Sequence, residues 1–152
     1  MLLSDTIDID APPDVVWSVW RDVEHWPDWT QSVSRVELLE RGPLRLGLRA
    51  RVHQPKLPIA VWTVTSVDEP AASGRAGFTW VSTSPGAHVT GSHRIEANGR
   101  GSRVVLSVDF QGPIGRLVGW LARDLSKRYL RFEATGLKAR SEAQTTAGLR
   151  SP

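Results

Sequence analysis

The pattern that most constrains this chain is an alternation of apolar and polar residues running, with glycine and proline punctuation, from about residue 34 to residue 110. "SRVELLER" stops at the turn "RGP". "LRLGLRARVHQP" puts Leu44, Leu46, Leu48, Ala50 and Val52 on one side and Arg45, Arg49, Arg51 and His53 on the other. "IAVWTVTSVDEP", "FTWVSTSPG", "AHVTGSHRIEA" and "RVVLSVDFQGP" follow, separated by "AASGRAG" and "NGRGS". Period-two stretches closed by turn residues predict an antiparallel meander. An earlier strand, "LLSDTIDID", precedes a helix over "APPDVVWSVWRDV" with Asp10 as cap, ending near His25–Trp26 ahead of Pro27. "PDWTQS" adds a second short helix or turn.

After residue 112 the period changes. In "PIGRLVGWLARDLSKRYLRFEATGLKARSEA", Ile114, Leu117, Val118, Leu121, Leu125, Tyr129 and Phe132 share a face at about 100° per residue. This predicts one long helix to about residue 143 and a frayed, disordered tail over 144–152. A sheet with one apolar face must be covered, and only this helix is long enough. The expected fold is therefore α+β: seven antiparallel strands curved around a C-terminal helix, with two short helices after the first strand, in a single domain over 1–143.

Composition narrows the function classes. The 152-residue chain has no cysteine, which removes disulfides, thiolate nucleophiles and thiolate metal sites. No apolar run reaches the roughly 18 residues of a membrane span, and "MLLSDTIDID" lacks the regions of a signal peptide, so a cytoplasmic location is expected. Residues 1–40 hold nine acids against two arginines, while 116–140 hold seven bases against Asp124 and Glu133. The tryptophans do not interleave with that basic run as a stacking platform would, only Trp120 falling within it, so no nucleic-acid surface is indicated. Trp120, Leu130 and Leu137 fall among Arg116, Arg123 and Lys127 on the expected outer helix face, suggesting a homodimer or membrane-surface contact.

Strand parity sorts the polar side chains. His93 shares a face with Gly91 and Ile95, Ser82 with Phe78 and Trp80, and Ser66 with Trp62 and Val64; Arg128 lies beside Tyr129 near the centre of the helical stripe. His25, His53, His88 and His93 lack metal-ligand spacing. The serines sit on no strand–turn–helix elbow, and "GRGS" is a turn rather than a phosphate loop.

The order of elements resembles the helix-grip (SRPBCC) superfamily of START lipid-transfer domains, the birch-pollen allergen and polyketide cyclase/dehydrase-like proteins, closest to the small bacterial members. The matching phrases are "IDIDAPPDVVWSVWRDVEHWPDWTQSVSRVEL", "QPKLPIAVWTVTSVDEP" and "SHRIEANGRGSRVVLSVDFQGPIG" leading into "YLRFEATGLKARSE". The resemblance implies a hydrophobic cavity between sheet and helix, and no cofactor or metal. Joined to the parity above, it gives an expected lining of Trp26, Trp29, Leu48, Val52, Trp62, Val64, Trp80, Ser82, His93, Leu106, Leu121, Leu125, Arg128 and Tyr129. Trp17 and Trp20 are expected in the core. Three functions fit: binding, and possibly carriage, of a hydrophobic small molecule or lipid; a cofactor-independent polyketide cyclase, aromatase or dehydratase using His93 as acid/base with Arg128 or Tyr129 on the oxyanion; or an interaction module with a collapsed cavity.

Overall fold

The computed structural model describes residues 1–150. Seven strands form one antiparallel sheet: β1 (Leu2–Ile9), β2 (Arg35–Leu38), β3 (Arg49–His53), β4 (Ala60–Asp68), β5 (Arg75–Ser84), β6 (Ala87–Asn98) and β7 (Gly101–Gln111). Their order is β1-β7-β6-β5-β4-β3-β2, so every neighbour but one is a sequence neighbour and β1 pairs along β7. The sheet curves around the C-terminal helical segment as expected.

Between β1 and β2 come α1 (Pro13–Trp20) and a 3₁₀ segment, Val23–Asp28. The α1 helix starts later than Asp10, and Pro12 holds the cap position with extended geometry, as a residue ahead of a proline must. It also stops earlier than expected. The indole Nε1 of Trp26 donates to the Trp20 carbonyl at 2.9 Å, which satisfies an end-of-helix acceptor by folding the chain back. Trp17, Trp20 and Trp26 are buried, and all pack in one core with Ile9, Val16, Phe78, Trp80, Ile95, Leu106 and Leu137.

Two stretches of the sheet and its turns depart from expectation. Residues 42–48 form a bend rather than the start of β3, because the Gly47 N–H is drawn to the Val64 carbonyl; Leu46 is exposed while Leu44 and Leu48 remain buried. In β4 the register against β5 shifts between Val64 and Ser66. That extra residue reverses the facing, so Ser66 is exposed and Val67 packs against the core in its place.

The C-terminal helix is two helices. α2 (Pro113–Leu121) and α3 (Arg123–Arg150) meet at Ala122, whose φ of −95° and ψ of 12° leave helical geometry. The apolar stripe does not continue through this elbow. On α2 the buried residues are Gly115 and Gly119, while Ile114, Leu117, Val118 and Leu121 are exposed. A Cβ on Gly119 would sit 2.7 Å from Phe110 Cγ, so only glycine lets α2 lie this close to β7. On α3 the buried stripe is Ser126, Tyr129, Glu133, Ala134, Leu137 and Ser141, a phase offset from the one expected. Leu137 is therefore core rather than outer surface, and Leu130 is half-buried against the core.

α3 also runs on to Arg150, so the tail expected to fray from residue 144 is helical over 144–150; residues 151 and 152 lie outside the described residues. Thr145 and Thr146 hydroxyls donate to the Ser141 and Glu142 carbonyls one turn back. Glu142 in turn accepts the Asp10 N–H at 3.0 Å and pairs with Lys138, fastening α3 to the β1–α1 junction. No helix among the described residues is long and apolar enough to cross a membrane.

Candidate functional site

β6 carries His93 into the concave side of the sheet, where it pairs across with Phe78 of β5 and Leu106 of β7. The imidazole stacks on the Phe78 ring, with centroids 4.2 Å apart and planes 6° from parallel. Trp20 closes a second side edge-on at 5.0 Å, Trp26 a third at 5.5 Å and Trp80 a fourth at 5.7 Å. Contact at such separations is the ordinary packing of aromatic edges and faces. His93 is 6 % exposed.

α3 supplies the one acid in this box. Glu133 Oε1 accepts a 2.9 Å hydrogen bond from Trp20 Nε1, and His93 Nε2 lies 3.3 Å from the same oxygen. A carboxylate taken out of water needs such partners, since an unpaired buried charge is far costlier than a paired one. With Nε2 directed at Glu133, the other ring nitrogen is left over. His93 Nδ1 is buried without a hydrogen-bond partner, as are Trp17 Nε1 and Ser141 Oγ. A buried polar atom left bare costs stability, so such groups are few and call for a reason.

The remaining expected residues divide. Trp26, Leu48, Val52, Val64, Trp80 and Leu106 are buried in the same core. Trp62 is half-buried and packs on Trp80 at 5.3 Å, with room made by Gly91, where a Cβ would lie 2.7 Å from the Trp80 indole nitrogen. Trp29, Ser82 and Leu125 are half-buried. Tyr129 is buried, but its hydroxyl donates to the Pro55 carbonyl and so ties α3 to the β3–β4 loop. Two residues are not in the interior. Leu121 is 69 % exposed because α2 turns its glycine side inward, and Arg128 is exposed because the α3 stripe is rotated past it. An oxyanion role for Arg128 therefore loses its geometry.

Sequence reading missed Glu133. Its signal was the spacing 126, 129, 133, 137, 141, which places a carboxylate on the same helical face as Tyr129. The deep end of the cup is packed with rings. Two surface depressions lie away from the concave aromatic box: one of about 280 Å³ beside Arg21, Glu24, Leu38 and Leu44, and one of about 320 Å³ lined by Ser66, Thr79, Ser92, Arg94 and Ser107 that reaches His93 from behind the sheet.

Residues 2–142 match the family described as "Polyketide cyclase / dehydrase and lipid transport". A Streptomyces halstedii protein named "Putative polyketide cyclase" is 30 % identical over 113 residues, covering 74 % of this chain and 91 % of that one. Among solved structures, the Zhui aromatase/cyclase of Streptomyces sp. R1128 superposes with a TM-score of 0.64 at 22 % identity, covering 99 % of this chain and 96 % of its own. The STAR-related lipid transfer protein of Xanthomonas axonopodis gives 0.67 at 15 % identity, with 92 % and 85 % covered. These two likenesses establish the shared fold.

Proposed function

The chain belongs to the polyketide cyclase/dehydrase and lipid transport family, and from that premise we propose that it binds and carries a hydrophobic small molecule or lipid between the concave sheet face and α3. The observation that carries this reading is the bare Nδ1 of His93 inside an aromatic box. A guest with one polar group and an apolar body satisfies that nitrogen and gains aromatic contact. Half-buried Trp62, Ser82 and Val89 on the concave face, with Leu125 of α3, form its way in; Trp62 and Trp80 shift to admit it. A cytoplasmic location is part of the same proposal. The homodimer or membrane contact expected of the outer helix face falls to α2 and its exposed apolar residues. Thermal denaturation with a lipophilic carboxylic acid or phenol tests the binding: a rise in Tm that saturates with ligand supports it, and an unchanged Tm across such ligands contradicts it.

The contact between Glu133 and His93 favours a second reading, proton transfer in a cyclisation or dehydration. The imidazole takes a proton from carbon beside a carbonyl and returns it to the departing hydroxyl, releasing water; Glu133 orients the ring. Turnover of a polyketide-like substrate that is lost in His93→Ala supports this reading, and turnover that survives the substitution removes His93 from the chemistry.

A further inference from the structure

We propose that α2 docks the protein onto an anionic lipid surface. Ile114, Leu117, Val118, Trp120 and Leu121 are between 43 and 69 % exposed, five large apolar side chains on a nine-residue helix. They are not displaced core. The inner face of α2 is already made by Gly115 against Ala87 and Gly119 against Phe110, so the fold spends its smallest residues inward and its largest outward. At 100° per residue the stripe 114, 117, 118, 121 lies on the side of the helix away from those glycines.

Charge selects the occupant. Arg116, Arg123, Lys127 and Arg128 are exposed on and just after α2, with Asp124 the one acid in that stretch. Among the described residues none of these four bases has a carboxylate within 4.0 Å, whereas Arg49, Arg51, Arg103, Arg131 and Lys138 are each paired. A second copy seated symmetrically on the patch would set these bases against themselves. A bilayer bearing anionic headgroups takes both features at once: apolar side chains enter the headgroup boundary, Trp120 sits at the interface, and the bases meet phosphates or carboxylates. Seated this way, α2 lies in the membrane plane without spanning it.

Flotation of the full chain with vesicles tests this, whether or not the interior holds a guest. Phosphatidylcholine vesicles containing phosphatidylserine should carry the protein at least about tenfold better than phosphatidylcholine alone, with the difference shrinking as salt is raised. Leu117→Ser with Trp120→Ser should abolish flotation, and Arg123→Gln with Lys127→Gln should remove the preference for the anionic lipid. Because these side chains are exposed, far-ultraviolet circular dichroism and Tm should match the unaltered chain. Three results overturn the proposal: no flotation, equal flotation of the apolar variant, or a concentration-dependent dimer in light scattering that the apolar variant abolishes.

Discussion

Glu133 holds two neighbours at once, and its removal separates what each needs. Glu133→Ala leaves Trp20 Nε1 without an acceptor and His93 without a partner on either ring nitrogen, in a box sealed by Phe78 and Trp80. Each buried group left bare in this way costs about 1–3 kcal/mol. Glu133→Gln keeps a carbonyl oxygen for the indole and should cost about 1–2 kcal/mol, near the worth of one hydrogen bond. Urea unfolding of both variants checks this: equal losses would mean that the pairing with Trp20 and His93 is not what the carboxylate contributes. His93 itself was legible in the sequence because β5, β6 and β7 pair without a break from Arg75 to Gln111, so period-two counting stays in phase. Ser66 was not, since one bulge residue in β4 lies upstream of it. Glu133 was hidden by a phase carried from residues 114–121 across Ala122.

The elbow and the corner decide what the helices can do. Gly136 of α3 lies under the 3₁₀ corner, where a Cβ would fall 2.0 Å from the Trp29 carbonyl oxygen. Backbone cannot give way as a side chain can, so Gly136→Ala should lower stability by about 1–3 kcal/mol or more. Gly148, on the same helix, has nothing within 4 Å of an added Cβ. There alanine removes only backbone freedom, and Gly148→Ala should be neutral or raise stability by up to about 1 kcal/mol. Melting both variants reads the contrast; similar shifts would deny that α3 is gripped at Gly136. The existence of each strand and of a C-terminal helical segment could be read from periodicity. The glycine-inward face of α2 could not, because a hydrophobic stripe states which residues are apolar and not what they face. Small residues at 115 and 119, four apart, were the available sign.

At the scale of the molecule, exposed carboxylate pairs set the acid limb of stability. The Arg103 hydrogen bond holds Asp8 below its ordinary 3.8, Arg51 and His53 hold Glu37 below 4.5, and Arg49 does the same for Glu40. Gln111 and the N-terminal ammonium lower Asp109; for Glu142, burial pushes upward but Lys138 and the Asp10 N–H outweigh it. Groups lowered on folding add stability that is complete above their unfolded values and fades as pH falls through the folded ones. The carboxylate contribution should therefore be level near neutrality and decline below about pH 4.5, gently because each pair stands at or near the surface. The Asp22 hydrogen bond raises His25, so its contribution runs the other way, present below 6.5 and lost as pH climbs through the raised value. Denaturant midpoints from pH 7 down to 3 follow this, and a midpoint independent of pH contradicts it.

The interior binding site is tested most directly by the tryptophan indole N–H resonances of the ¹⁵N-labelled protein during titration with a lipophilic carboxylic acid. Trp20 Nε1, bonded to the carboxylate beside His93, should shift saturably together with Trp80, while Trp120 on the exposed side of α2 stays in place. Movement of Trp120 alone, or of no indole at all, would place the ligand outside the His93–Glu133 box or deny it altogether.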